Sequence, residues 1–167
     1  MMVALAALAG GCARVIVADL AQPKLDIIGA YDGIETVNIR NRPLAEAVAE
    51  ATDGWGADVV FECSGAAPAI LGMAAHARPG GAIVLVGMPV DPVPVDIVAL
   101  QAKELRVETV FRYANRYPVT IEAISSGRFD VKSMVTHIYD YRDVQQAFEE
   151  SVNNKRDIIK GVIKISD

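Results

Sequence analysis

The chain has 167 residues, which is enough for one domain or for one domain with an appendage. Hydrophobic residues make up 52% and charged residues 22% of it, a composition typical of a globular protein with a substantial core. The formal net charge is −5 and Lys and Arg form no cluster, so we expect no nucleic-acid partner, which would need a basic face.

Cysteine content and hydropathy narrow the class of protein further. Cys12 and Cys63 are far apart and show no paired spacing, so neither a disulfide framework nor a zinc cluster is predicted. We expect a cytoplasmic location. The apolar segment 1–13 lacks the basic opening of a signal peptide, and it is shorter than the roughly 20 residues that span a bilayer. We interpret its first nine residues as a helix and expect no membrane partner.

Predicted helices and strands alternate along most of the chain. In chain order, the helices cover 1–9, 23–29, 44–52, 68–77 and 96–103, and the strands cover 14–19, 35–39, 58–63, 82–87 and 105–111. Beyond residue 128 the pattern gives a strand at 134–139, a helix at 142–152 and a strand at 160–165, which could extend the same sheet or belong to another domain. Apolar strands separated by helices indicate a doubly wound parallel sheet, the α/β architecture of Rossmann folds.

Asp19 is the most informative residue, because it closes the apolar run 14–18 at the end of a predicted strand. An acidic side chain in this position accepts hydrogen bonds from the ribose hydroxyls of NAD, and its charge repels the 2′-phosphate of NADP. The first strand and glycine-rich turn of such a unit are not in the sequence. We therefore expect the nucleotide-binding half of a larger dehydrogenase, starting just after that turn. A surface acid that caps a strand end is the alternative.

Two glycine turns follow apolar strands and are predicted at the carboxyl edge of the sheet. They are Cys63-Ser64-Gly65 and Val86-Gly87-Met88. Open parallel sheets bind ligands at this edge, and glycine lets the backbone approach a ligand closely. Ordinary turn glycines are the alternative. His76 and His137 are single histidines without neighbours at ligand spacing, so we interpret both as structural.

Four stretches occur in an order that resembles the zinc-dependent polyol dehydrogenases, the sorbitol and xylitol dehydrogenases of the medium-chain dehydrogenase/reductase family. They are VIVADL at 15–20, FECSG at 61–65, LVGM at 85–88 and VFRYAN at 110–115. MVTH at 134–137 and AFE at 147–149 resemble the C-terminal part of that family. The resemblance covers essentially the whole chain but only about half of a family member. It implies a truncated NAD-binding domain at 1–128 and a segment at 129–167 that returns to the catalytic domain.

The resemblance also implies a function, the oxidation of a polyol to a ketose by hydride transfer to NAD. It places the cofactor against Asp19, Leu20, Lys24, Cys63, Ser64, Gly65, Val86, Gly87, Met88, Val110, Phe111 and Arg112, and the substrate against Arg112 and Tyr113. In the family the zinc ligands lie upstream of these stretches. We therefore expect no catalytic or metal-binding residue in this chain, with zinc only in the other half, and no activity from this part alone.

Two alternatives stay open. Arg112 and Tyr113 could be side chains on an edge strand that face water. The chain could also be a non-catalytic dimerisation module, because family members pair through sheet edges and 105–111 or 92–95 could lie at such an edge. We expect a homo-oligomer in either case.

Overall fold

The computed structural model describes residues 1–166, and α-helices alternate with β-strands over most of this length. The helices are α1 Met2–Ala9, α2 Gln22–Ile28, α3 Leu44–Ala51, α4 Ala67–His76, α5 Ile97–Ala102, α6 Tyr117–Ser125 and α7 Val144–Asn153. The strands are β1 Val15–Asp19, β2 Ile34–Asn38, β3 Ala57–Glu62, β4 Ala77–Leu85, β5 Arg106–Thr109, β6 Val135–Asp140 and β7 Lys160–Lys164. None of the helices in this part of the chain is long and apolar enough to cross a membrane.

The strands form three sheets, and each strand pair found among residues 1–166 is parallel. The orders are β1-β2, β3-β4-β5 and β6-β7. Parallel pairing needs a crossover between neighbouring strands, and the intervening helices α2, α4 and α5 supply it in the first two sheets. The predicted Rossmann-like α/β fold with parallel strands is confirmed.

The chain divides into two compact units, each with its own core. The first unit comprises residues 1–41 and 115–166, and the second comprises residues 42–114. The core of the first unit contains Leu5, Ile28 and Met134, and that of the second contains Ile70, Met73, Ala74, Ala77, Ile83 and Leu100. The predicted division of the chain at residue 128, into an NAD-binding domain and a C-terminal segment, stays a prediction.

The structure departs from the predicted elements in three places. Helix α6 was not predicted, because its β-branched run Val119-Thr120-Ile121 is typical of a strand and none of its residues is buried. Strand β5 ends at Thr109, so Val110 and Phe111 lie beyond the strand in an irregular segment. Strand β4 begins at Ala77, which pairs with Ala57 before the register shifts.

The C-terminal end of α4 is capped by a lysine from a distant part of the same unit. Lys103 Nζ donates hydrogen bonds to the carbonyls of Ala74 (2.9 Å), Ala75 (3.2 Å) and Ala77 (2.8 Å). An ammonium group satisfies the carbonyls that have no partner at a helix end and interacts favourably with the helix dipole. The neighbouring His76 has a lowered pKa, first because of burial and second because of the positive charge of Lys103.

We expect Lys103→Met to lower the free energy of unfolding by about 1–3 kcal/mol, because three carbonyls lose a charged donor. The same substitution should raise the pKa of His76, since one of the two causes of its lowered value is removed. Urea denaturation measures the first effect, and NMR titration of the His76 ring measures the second, with His137 as internal reference. A His76 pKa that stays the same in the variant would contradict this account of the helix end.

Candidate functional site

The carboxylate of Asp19 is held in a defined orientation at the end of β1. Its Oδ1 accepts a hydrogen bond of 2.9 Å from the backbone N–H of Ala21, two residues on. Its second oxygen, Oδ2, has no hydrogen-bond partner among residues 1–166, and the residue is partly exposed. An oriented carboxylate with one open oxygen can accept a hydrogen bond from a hydroxyl group, and the predicted contact with the ribose requires this.

The exit of β2 lies beside Asp19 because the two strands are in parallel register. Asp19 pairs with Asn38, and the N–H of Ile39 donates to the Asp19 carbonyl at 3.2 Å. The Asn38 side chain then donates to Gln22 Oε1 at 2.9 Å, which ties the end of β2 to the start of α2. The carboxyl edge of this sheet is therefore a polar, hydrogen-bonded surface.

The other two cofactor residues predicted in this unit are Leu20 and Lys24. Leu20 follows β1 directly and its side chain is about half exposed. Lys24 lies in the first turn of α2, where its backbone N–H donates to the Ala21 carbonyl at 3.1 Å. Its ammonium group forms no ion pair with any described residue. Both residues lie near Asp19 in the chain, and their contacts with a cofactor stay predictions.

In the second unit, the register of the three strands brings the other predicted segments to one sheet edge. Glu62 pairs with Leu85, and Leu85 pairs with Thr109. The two glycine turns and the segment 110–112 all follow these residues, and Val110 N donates to the Leu85 carbonyl at 3.0 Å. The structure therefore places all three segments at the carboxyl edge of β3-β4-β5.

Glu62, which the sequence analysis did not single out, organises this edge. The residue is only 5% exposed and is the one buried charged or polar residue found among residues 1–166. Oε1 accepts hydrogen bonds from Ser64 N (2.8 Å), from Ser64 Oγ and from Gly65 N (3.1 Å), and Oε2 accepts from Gly65 N (3.0 Å). A buried carboxylate needs such donors, because losing its hydration is costly.

The backbone of Glu62 connects the two glycine turns. Its carbonyl accepts hydrogen bonds of 2.8 Å from both Val86 N and Gly87 N. A Cβ on Gly87 would come within 2.7 Å of Glu62 Oε2, and a Cβ on Gly65 would come within 2.8 Å of the Met88 carbonyl. Gly65 also has a φ of +67°, a conformation that side chains disfavour. Both turns therefore depend on glycine for close packing of the backbone.

Cys63 lies between Glu62 and Ser64 in the chain. Its thiol does not have the lowered pKa of a reactive nucleophile. Its pKa is raised by desolvation and, to a smaller extent, by the neighbouring Glu62 carboxylate. A thiol with a raised pKa stays protonated at neutral pH, and the thiolate is the reactive form. Its place at the sheet edge therefore favours a packing or contact role.

The segment 110–113 is exposed and contains a strained backbone position. Arg112 has a φ of +63°, which is uncommon for a residue with a side chain. Its guanidinium carbon lies 5.0 Å from the ring centroid of Phe111, a cation–π distance. Strain of this kind is often found at ligand-binding positions. Tyr113 is about 60% exposed, and its contact with a substrate stays a prediction.

A cavity of about 310 Å³ opens beside the first glycine turn. It is lined by Gly65 and Ala67 and by the loop 89–93. Residues 92–95 of this region were predicted as a possible sheet edge for dimerisation, and no role in cofactor binding was predicted for the loop. Met88 in front of this loop is highly exposed, so the predicted nicotinamide end of the site is open.

The predicted family uses zinc, and we compared the donor residues with the requirements of a metal site. No three His, Cys, Asp or Glu side chains of residues 1–166 lie close enough together to hold a metal ion. His137 forms a hydrogen bond of 3.0 Å with Thr136 and stacks on Tyr139, and it belongs to no cluster of metal ligands among the described residues. The described residues do not fit a zinc ion, and no chemical step can be assigned to zinc here.

We expect Glu62→Ala to lower the free energy of unfolding by about 1–3 kcal/mol, because the donors of Ser64 and Gly65 lose their acceptor. Glu108→Ala removes an exposed strand carboxylate from the same sheet and should change it by less than about 0.5 kcal/mol. Chemical denaturation of both variants measures the difference. Equal stability of the two variants would show that Glu62 does not organise the turns.

Known proteins resemble this chain over most of its length. The sequence model of the family described as zinc-binding dehydrogenase matches residues 1–126. A putative D-xylulose reductase of Agrobacterium fabrum is 71% identical over 96% of the chain, and D-xylulose reductase of Morganella morganii is 46% identical over 90%. The alignments cover 46% and 45% of those proteins, so the chain spans about half the length of the curated relatives it matches.

A solved structure shows the same fold. The crystal structure of an Escherichia coli oxidoreductase/dehydrogenase of unknown specificity superposes with a TM-score of 0.93 at 49% identity, covering 99% of this chain and 48% of that one. The resemblance to the C-terminal half of polyol dehydrogenases, drawn from the four sequence stretches, is confirmed. The chain belongs to the zinc-binding dehydrogenase family.

Proposed function

We propose that this chain binds NAD and serves as the cofactor-binding part of a dehydrogenase that oxidises a polyol to a ketose. Members of the family are NAD(P)-dependent dehydrogenases. The observation that carries the choice of NAD is the Asp19 carboxylate, held by Ala21 N with its second oxygen open. This carboxylate can accept hydrogen bonds from the adenosine ribose hydroxyls, and its negative charge repels a 2′-phosphate.

The other residues position the cofactor. In the glycine turns 63–65 and 86–88, Gly65 and Gly87 present backbone without a side chain at the carboxyl edge of β3-β4-β5, which would let a nicotinamide ribose approach closely. The backbone of 110–112 would bind the carboxamide group. NAD, when bound, supplies the carbon atom that accepts the hydride.

The choice of a polyol rests on relatives named as D-xylulose reductases and on the exposed Arg112. A guanidinium group has several donors in a fixed plane and could hold neighbouring hydroxyls, with Tyr113 beside it. The described residues offer no metal-binding cluster. We therefore infer that zinc, which would polarise the substrate hydroxyl, belongs to the other half of the longer protein and that this chain alone does not oxidise polyols.

Titration of the chain with NADH by calorimetry tests the proposal. We expect wild type to bind and Asp19→Ala to bind about tenfold more weakly, because a charge-assisted hydrogen bond to the ribose is lost. Asp32→Ala is the matched control, since Asp32 is an exposed acid in the same unit that precedes β2. Absence of NADH binding by folded wild type, or equal weakening by both substitutions, would contradict the proposal.

One observation favours a second candidate function, a dimerisation module. Strand β5 pairs only with β4 among the described residues, and all four of its residues are exposed. An open strand edge with exposed apolar side chains such as Val107 can pair with a second copy of the chain.

For this candidate we expect wild type to sediment as a dimer and Val107→Lys as a monomer, because a charged side chain on an edge strand opposes pairing. Val90→Lys is the control, since Val90 is fully exposed and lies outside the strands. Sedimentation velocity measures all three proteins. A monomeric wild type, or a dimer that survives Val107→Lys, would exclude pairing through β5.

A further inference from the structure

Arg40 lies at the same sheet edge as Asp19 and is held there by its backbone. It follows β2 by two residues, and its N–H donates to Asn38 Oδ1 at 3.1 Å. The preceding Ile39 N–H donates to the Asp19 carbonyl at 3.2 Å. These two hydrogen bonds fix the main chain of 38–40 against the end of β1, so the position of Arg40 follows from the β1-β2 register.

The guanidinium group of Arg40 is oriented as well. Its Nε donates to the carbonyl of Leu20, the residue next to Asp19, at 3.2 Å. Neither an ion pair nor a hydrogen bond engages its two terminal nitrogens within residues 1–166, and the residue is exposed. A positive group with open donors therefore lies beside the residue after Asp19.

The chemistry of Arg40 opposes that of Asp19. A guanidinium with two open nitrogens matches a phosphate, which it can bind through two parallel hydrogen bonds. In dinucleotide-binding folds, an acidic residue at the end of this strand favours a free ribose 2′-hydroxyl, and a nearby arginine accommodates a 2′-phosphate. This chain carries both groups at one sheet edge.

We propose that Arg40 is a latent recognition residue for the 2′-phosphate of NADP and that the negative charge of Asp19 prevents its use. The inference rests on the proposed function, because it assumes that the adenosine ribose lies at Asp19. The choice between NAD and NADP then depends on two side chains: Asp19 disfavours a 2′-phosphate, and Arg40 would favour one. Replacing Asp19 by a small neutral residue should reverse the preference.

The test uses two small ligands that differ only in the 2′-phosphate, adenosine 2′,5′-bisphosphate and AMP. Affinities are measured by ¹H–¹⁵N NMR titration, in which the Arg40 Nε–H signal reports its own contact. We expect wild type to prefer AMP and Asp19→Ser to prefer the bisphosphate by about tenfold. Adding Arg40→Met to Asp19→Ser should remove this preference for the bisphosphate, and raising the salt concentration should weaken it.

Two further variants make the result specific to Arg40. Adding Arg128→Met to Asp19→Ser removes an exposed arginine from the same unit and should leave this preference intact. Adding Lys24→Met tests the other nearby cation. The proposal would be overturned if Asp19→Ser gained no preference for the bisphosphate over AMP. It would also be overturned if adding Lys24→Met removed that preference while adding Arg40→Met left it intact. NADH binding by wild type is measured separately, so failure of the proposed function is distinguishable from failure of the Arg40 inference.

Discussion

The carboxylate of Glu62 is the group on which the carboxyl edge of the second unit depends. It is buried and forms no ion pair with any of residues 1–166, and the hydrogen bonds that stabilise it come from Ser64 and Gly65. Its carbonyl holds Val86 and Gly87 at the same time. Both glycine turns therefore have one common anchor, and the absence of side chains on Gly65 and Gly87 is what lets the turns pack against it.

Much of this architecture could be predicted from the sequence, because the apolar runs and the helices between them specify parallel strands. Asp19 was identified from its place at the end of an apolar strand, and the structure shows its carboxylate oriented there by Ala21. Helix α6 could not be predicted, since it buries no residue and its β-branched run carries a strand signal.

Glu62 and Arg40 were missed for a different reason. A glutamate in an apolar strand gives no sequence signal of whether its side chain is buried or which backbone donors it meets. Arg40 follows its strand by two residues, and only the register of β1 and β2 brings it to Leu20. Residues that act on backbone groups of a neighbouring segment depend on tertiary contacts, which sequence periodicity does not encode.

The groups at both sheet edges share one chemical character: the described side chains donate hydrogen bonds to neighbouring backbone or accept them from it. The Cys63 thiol has a raised pKa and stays protonated, and the described residues contain no metal-binding cluster. Both carboxylate oxygens of Glu62 accept hydrogen bonds, whereas Asp19 uses Oδ1 and leaves Oδ2 open. Under the proposed function, the oriented acceptors, the open turns and the exposed guanidinium groups would determine which cofactor binds and how it lies. In the proposed function, recognition of the cofactor and activation of the substrate hydroxyl belong to different parts of the dehydrogenase, because the described residues offer no metal-binding cluster.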